Sequence, residues 1–297
     1  MNLCDINVVK RVLSDHYAQP KKKFGQNFLI NREVPQRIAD ESFLFHIEKN
    51  KEKTSCVLEI GPGIGSLTYE LSEKYEKVVA VEIDKTMIPV LKETLSEKSN
   101  IEVINEDFLN LSLKDFCQEQ FGNLPISVCA NLPYYITTPI IMKLLEEGEG
   151  LFTSITIMVQ KEVADRLCSD EKSGDYGAIT ASLNYYGKVE KLFDVTPDNF
   201  FPSPNVVSSV IRIAPFADSP YNILDKDMLL KTIKGAFSMR RKTLLNSLSS
   251  YLGWISKEEL SEILTESGFD INIRGEKLSI DDFCNLSNKL YTMKKAK

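Results

Sequence analysis

The residues with the clearest chemical potential form a short polar and aromatic run. The run consists of Asn131, Leu132, Pro133 and Tyr134. It follows the apolar segment 126–130, which predicts a buried parallel strand, so it lies at a carboxyl strand end, where open α/β sheets bind ligands. An amide oxygen and backbone carbonyls can accept the hydrogens of an exocyclic base amine, and an aromatic face can stack on the base. The run therefore favours methyl transfer to such an amine, with an ordinary strand-to-helix turn as the alternative.

A glycine-rich turn upstream predicts a nucleotide-type ligand. Residues 57–65 consist of Val-Leu-Glu-Ile-Gly-Pro-Gly-Ile-Gly, and an amphipathic segment over 66–75 follows them. Gly61 and Gly63 permit a tight turn and close approach of the backbone to a ligand. A dinucleotide fingerprint requires a further glycine where Ser66 stands. The G-x-G-x-G spacing instead resembles the S-adenosylmethionine loop of methyltransferases.

Two acidic residues follow the next two predicted strands. Glu82 lies near the carboxyl end of the strand over 77–84, where its carboxylate can accept hydrogen bonds from both hydroxyls of a ribose. Asp107 follows the strand over 101–104 and is placed to accept from an adenine amine. Either acid alone could be a solvated loop carboxylate or a helix cap. Their succession after the glycine loop favours a cofactor site.

These motifs together resemble the rRNA adenine N6,N6-dimethyltransferases, and within them the bacterial small-subunit branch. The resemblance runs from about Lys21 to about Leu290, and it also includes the segments 23–29, 200–206 and 240–244. It implies that S-adenosylmethionine is the cofactor and that Phe200 packs against the target adenine opposite Tyr134. The residues that it implies for cofactor binding are Asn27, Leu29, Gly61, Gly63, Glu82, Asp107 and Asn131.

The resemblance also implies a reaction and a partner. The expected reaction is dimethylation of the N6 amines of two adjacent adenosines in the 3′-terminal hairpin loop of 16S rRNA, within a small ribosomal subunit or its precursor. A role in small-subunit biogenesis and a monomeric enzyme are expected with it. Alternatives are an Erm-like enzyme acting on large-subunit rRNA, an assembly factor whose binding matters more than its methylation, and a dinucleotide oxidoreductase, which Ser66 disfavours.

The charge pattern bears on RNA binding. The net charge is −6, whereas RNA-binding proteins are usually basic. Two local clusters of basic residues are present in spite of the negative net charge. One contains Lys10, Arg11, Lys21, Lys22 and Lys23, and the other contains Lys231, Lys234, Arg240, Arg241 and Lys242. Local basic faces can hold phosphates on a globally acidic protein, so we expect RNA contacts from both clusters, with solvated helix faces as the alternative.

Chain length and element pattern predict two domains in 297 residues. Residues 1–214 are expected to form an α/β, Rossmann-like domain with a seven-stranded sheet and a basic N-terminal arm. Residues 215–297 are expected to form a small all-α RNA-binding domain. The chain has no apolar run long enough to span a membrane, and its six cysteines are scattered without a C-x-x-C pair. A cytoplasmic protein with reduced thiols and no metal site is expected.

Overall fold

The computed structural model describes residues 1–21, 24–50, 55–239 and 241–296. Nine strands lie within these ranges. They are β1 (Phe28–Leu29), β2 (Cys56–Ile60), β3 (Lys77–Val81), β4 (Ile101–Ile104), β5 (Ile126–Asn131), β6 (Phe152–Gln160), β7 (Gly187–Val195), β8 (Phe200–Phe201) and β9 (Ser208–Pro215). Seven of them form one sheet in the order β4-β3-β2-β5-β6-β9-β7, and β1 pairs with β8 separately.

Twelve α-helices accompany the strands in the described residues. They are α1 (Ile6–Asp15), α2 (Glu33–Lys49), α3 (Ser66–Ser72), α4 (Met87–Thr94), α5 (Leu113–Phe121), α6 (Thr137–Glu146), α7 (Lys161–Leu167), α8 (Ala178–Tyr186), α9 (Lys226–Phe237), α10 (Leu244–Leu252), α11 (Lys257–Glu266) and α12 (Ile280–Ala296). None of the helices in the described ranges is both long and apolar enough to cross a membrane.

The sheet confirms the predicted Rossmann-like architecture. Strands β2 to β6 pair in parallel, and β9 runs antiparallel to β6. Every residue of β2 is buried, which places apolar side chains on both faces of the sheet, as parallel sheets require. The strand order reverses between β2 and β5, because β2 continues to β3 on one side and pairs with β5 on the other. Ligands of open α/β sheets bind at such a point, outside the carboxyl strand ends.

The N-terminal segment differs from the prediction. We expected a basic arm there, but residues 6–15 form helix α1, whose cap is the Asp5 carboxylate accepting from the Asn7 backbone. Val9, Val12 and Leu13 follow helical spacing and are buried in an apolar cluster with residues of α4. The apolar stripe forms a helix here in spite of the charged residues between its members.

The chain divides into two compact units. The first contains Met1–Ala164 and Val189–Pro215, and the second contains Asp165–Lys188 and Phe216–Lys297. The expected division at 214/215 thus differs in one segment, because 165–188 groups with the later residues. The physical reason is the packing of α8 against α9 and α12, which includes Lys226 over the Tyr186 ring. The predicted helical character of 215–297 is confirmed by α9 to α12.

Candidate functional site

A cleft of about 710 Å³, counting its open mouth, lies at the carboxyl ends of β2, β3 and β5. Its floor is the glycine turn after β2. Gly61 and Gly63 have positive φ angles of 71° and 60°, which L side chains rarely adopt. A Cβ at Gly63 would lie 3.1 Å from the Phe28 ring, a tight contact that the ring would have to shift to relieve. The lining residues include Phe24, Gln26, Asn27, Phe28, Leu29, Glu59, Gly61, Gly63, Glu82, Ile83, Asn131, Pro133 and Tyr135.

Glu82 is held rigidly at the end of β3. Its carboxylate accepts from the Gly63 backbone N–H at 3.1 Å and from the Asp84 backbone N–H at 2.7 Å. The side chain is only 3% exposed, and this burial raises its pKa to about 7 against the opposing effect of those hydrogen bonds. The Glu82 side chain therefore faces the cleft as a fixed acceptor beside the glycine turn.

Glu59 is a pocket residue that the sequence prediction missed. It lies inside the apolar strand β2, and burial raises its pKa to about 8. One of its carboxylate oxygens is buried with no hydrogen-bond partner among the described residues. A buried acid in an otherwise apolar strand was the available sequence signal, because such a group requires a partner. Glu59 thus offers the pocket an unsatisfied acceptor.

Asn131 ends β5 and is half-buried in the pocket wall. Its Nδ2 donates to the Asn27 backbone oxygen at 3.2 Å, which fixes the orientation of the amide. Leu132 is buried, and its backbone N–H donates to Met158 in β6. The Pro133 carbonyl already accepts from the Ile136 N–H and the Thr137 hydroxyl. Among the described residues no donor reaches the carbonyl of Leu132, so this carbonyl and the Asn131 oxygen are the available acceptors.

The predicted aromatic pair is not brought together at the pocket surface. The Tyr134 hydroxyl is hydrogen-bonded to the Ser208 hydroxyl at 2.8 Å. The aromatic residue that lines the cleft is its neighbour Tyr135. Phe200 is 3% exposed and packs in the apolar core with Leu29, its partner in the β1–β8 pair. A base could pack against the Phe200 ring only after a local shift of β8. Its implied contact with adenine stays a prediction.

The remaining predicted cofactor residues differ in their placement. Asn27 and Leu29 line the cleft. Asp107 does not line it, and one of its carboxylate oxygens caps the following turn by accepting from the Leu109 N–H at 2.9 Å. Asp107 is still close to the rim, since its charge adds to burial in raising the pKa of Tyr135.

The predicted basic residues divide into three groups. Lys21 is committed to an ion pair, with its Nζ 2.7 Å from a carboxylate oxygen of Asp84. Arg241 and Lys242 are exposed in the second unit. Lys22, Lys23 and Arg240 lie outside the described residues. The ammonium of Lys21 is therefore engaged within the protein, and its predicted contact with RNA phosphates stays a prediction.

The pocket fits the cofactor that the sequence resemblance implies. S-adenosylmethionine carries a sulfonium and an ammonium, and the buried carboxyl groups of Glu59 and Glu82 can offset positive charge in a site shielded from water. Its ribose hydroxyls match the acceptor at Glu82. The φ angles of Gly61 and Gly63 keep the turn between these acids free of side chains. The donor and acceptor set of the pocket therefore suits this ligand.

Comparison with known proteins gives the family. The family model described as ribosomal RNA adenine dimethylase matches residues 17–292. The chain is 43% identical over 281 residues to the ribosomal RNA small subunit methyltransferase A of Alkaliphilus oremlandii, covering 95% of each chain. A dimethyladenosine transferase from Plasmodium falciparum has a similar structure, with a TM-score of 0.70, 27% identity and coverage of 90% of this chain and 98% of that one. For the 23S rRNA methyltransferase ErmE the TM-score is 0.65 at 26% identity, covering 89% of this chain and 100% of that one. The chain therefore belongs to the ribosomal RNA adenine dimethylase family, and it is a methyltransferase that uses S-adenosylmethionine.

Proposed function

We propose that the protein dimethylates the N6 amines of two adjacent adenosines in the 3′-terminal hairpin loop of 16S rRNA, as a monomeric cytoplasmic enzyme acting on a small ribosomal subunit or its precursor. The observation that carries the chemistry is the pair of available acceptors at the end of β5. The Asn131 amide oxygen and the Leu132 carbonyl lie next to each other in the chain, beside the cofactor pocket. Two acceptors match the two hydrogens of one exocyclic amine.

The bound cofactor supplies an electrophilic methyl group on a positively charged sulfur. Asn131 and the Leu132 carbonyl orient the adenine amine so that its lone pair points into the cleft. Glu82 holds the ribose of the cofactor, and the glycine turn leaves space beside it. The amine loses its proton to water after it has become cationic, so no general base is required. Catalysis in this scheme comes from orientation and exclusion of water.

The target adenine must leave the RNA stack to reach these acceptors. Tyr135 lines the pocket with more than half of its side chain exposed, and Tyr134 is half-buried beside it. Phe200 would join them only if its ring became accessible. We propose that aromatic contacts from this segment hold the unstacked base, while the second unit contributes phosphate contacts through Arg241 and Lys242, because structured RNA is recognised largely by shape and backbone.

The small-subunit substrate is favoured by the relative at 43% identity, whose name specifies that subunit. The Erm-like alternative is supported by the structural similarity to ErmE at 26% identity. Incubation with labelled S-adenosylmethionine and unmethylated small or large subunits separates the two. We expect label only in small-subunit RNA, at adjacent adenosines. Label in large-subunit RNA alone would favour the Erm-like enzyme, and binding without label would favour the assembly factor.

The role of Asn131 is tested by Asn131→Ala. We expect single-turnover methylation to fall by roughly two to three orders of magnitude, as for removal of a positioned polar group at a reacting centre, with rRNA affinity retained. Asn123→Ala is the matched control, because it removes an exposed amide from the turn before β5 in the same unit, at the opposite end of the strand from Asn131. Turnover of Asn131→Ala within a few-fold of the parent would mean that backbone carbonyls alone orient the amine.

A further inference from the structure

Asp84 is a buried carboxylate that joins two distant segments of the first unit. It follows β3, is 2% exposed and accepts from Lys21 Nζ at 2.7 Å through one oxygen. Its other oxygen accepts from Gln26 Nε2 at 3.2 Å. The Thr86 hydroxyl and backbone N–H donate to it as well. The carboxylate therefore holds residues 21 and 26 of the N-terminal segment against the loop after β3.

Lys21 and Gln26 are also tied to each other. The Lys21 backbone N–H donates to Gln26 Oε1 at 2.8 Å, so the Gln26 amide bridges that backbone and the Asp84 carboxylate. Gln26 lines the cofactor cleft together with its neighbours Phe24, Gly25 and Asn27. The bonds to Asp84 are therefore attached directly to a wall of the cleft.

The same wall reaches the catalytic run on its other side. A Cβ at Gly25 would lie 3.3 Å from the Cβ of Pro133, and Asn131 donates to the Asn27 backbone oxygen at 3.2 Å. At the opposite end, the Asp84 backbone N–H donates to Glu82 at 2.7 Å. One connected set of contacts thus runs from Glu82, through Asp84 and residues 24–27, to the side-chain amide of Asn131.

We propose that Asp84 is a positioning residue for methyl transfer, which fastens the wall 24–27 across the cofactor cleft and so sets the places of both Glu82 and Asn131. Burial alone would raise the pKa of Asp84, but hydrogen bonds from Lys21 and Thr86 outweigh it and lower the pKa. The carboxylate is therefore charged near neutral pH and requires its cationic partner. This gives Lys21 a role in assembling the cleft.

The first test compares Asp84→Asn and Lys21→Met with the parent by calorimetric titration of S-adenosylmethionine. We expect affinity to weaken by about 10- to 100-fold, as for loss of hydrogen bonds to a charged group. Glu70→Gln is the matched control, because Glu70 is also buried and pairs with Arg32 at 2.7 Å, yet does not line the cleft. Affinity within twofold of the parent in Lys21→Met would overturn the proposal, even if Asp84→Asn failed to fold.

A second test separates positioning from general stability. The double variant Gln26→Glu with Asp84→Asn exchanges the amide and the carboxylate, so that the donor and acceptor between positions 26 and 84 are restored with reversed roles. We expect it to recover at least a tenth of the parent affinity and to exceed Asp84→Asn, at an unchanged melting temperature without cofactor. A merely structural role would be shown if the double variant recovered no affinity and if, across the variants, the loss of affinity simply followed the loss of melting temperature.

The methylation readout rests on the proposed function, whereas the cofactor titration does not. With unmethylated small subunits, Asp84→Asn should lower kcat as well as raise the KM for S-adenosylmethionine, since Asn131 loses its support. If the parent binds cofactor but transfers no methyl group to the subunit, the proposed function fails and the calorimetric test of Asp84 still stands. A change in KM alone would limit Asp84 to the cofactor side and overturn its link to Asn131.

Discussion

Glu59 and Glu82 bring two carboxyl groups with raised pKa values into one pocket. Burial raises the pKa of Glu59 to about 8 and that of Glu82 to about 7, so the free protein holds protons on them near neutral pH. A cationic ligand favours the ionised carboxylates and lowers both pKa values. Binding of S-adenosylmethionine should therefore release protons, and its affinity should rise between pH 6 and 8.

Calorimetric titration in phosphate and in Tris at pH 7 measures this release, because the two buffers differ in their heat of protonation. We expect the observed heats to differ, and affinity to rise by at most about tenfold per pH unit for each proton released. Glu59→Gln should release fewer protons than the parent. Heats that are identical in both buffers would show that the two acids keep their protonation state on binding.

Individual residues were predictable where a strand end fixed their position. Gly61 and Glu82 each follow a buried strand and Asn131 ends one, and the carboxyl ends of parallel strands meet at one edge of the sheet. The pairing of Lys21 with Asp84 was not predictable, since it joins residues 63 positions apart through side chains alone. The burial of Phe200 depends on the β1–β8 pair, which has only two residues per strand and leaves little pattern in the sequence.

At the level of elements, β5 is supported beneath the catalytic run by buried polar contacts with α2. The Ser127 hydroxyl bonds His46 Nδ1 at 2.8 Å, and the Cys129 thiol donates to Ser42 at 3.1 Å. Burial lowers the pKa of His46, whose Nε2 has no hydrogen-bond partner among the described residues. A proton on that ring would be buried without an acceptor, so the folded state keeps His46 neutral.

His46 should therefore make stability depend on pH. The unfolded state takes up a proton below pH 6.5 whereas the folded state resists it, so the free energy of unfolding should fall as pH decreases, by up to about 1.4 kcal/mol per pH unit from this group. Denaturant titrations between pH 5 and 8 measure the slope. His46→Gln should flatten the slope of the free energy of unfolding against pH, whatever the variant's stability at pH 8. An equally steep slope in the variant would assign the pH dependence to other groups.

Most elements followed from sequence pattern. The predicted helical character of residues 215–297 is confirmed, and local signals limit its helices: a capping box at Ser256 begins α11, and Gly253 and Gly268, with positive φ, follow α10 and α11. The membership of α8 in the second unit was not predictable, because it depends on packing against helices that begin 40 or more residues later. Periodicity identifies an element and its buried face, but not which of several apolar partners covers that face.

On the scale of the whole molecule, a net charge of −6 must be reconciled with an RNA substrate. If Arg241 and Lys242 contact phosphates, changing both to glutamate should weaken small-subunit binding and lower the slope of log affinity against log salt by about one for each contact. Filter binding over a salt series measures this. Lys257→Glu with Lys277→Glu is the matched control, with an equal charge change on exposed residues of the same unit. Equal slopes in all three proteins would remove this cluster from the interface.

The division into units also predicts the result of truncation. A fragment of residues 1–214 keeps α8 but lacks α9 and α12, so the face of α8 that packs against them, including the Tyr186 ring beneath Lys226, becomes exposed. We expect this fragment to bind a hydrophobic dye and to aggregate. The control fragment replaces 165–188 with a short glycine-serine linker, and it should stay monomeric by light scattering. Equal solubility of the two fragments would mean that α8 is stable without its partners.

The path of the chain also fixes an order of events during translation. Helix α8 leaves the ribosome well before α9, and α12 follows only with the last residues of the chain. The apolar face of α8 therefore stays without its α9 and α12 partners while β7 and β9 complete the sheet of the first unit. The nascent chain consequently passes through a stage at which its first unit can fold while the apolar face of α8 is still exposed. Chaperone binding is expected mainly at that stage, and slow synthesis of residues 216–297 would prolong it.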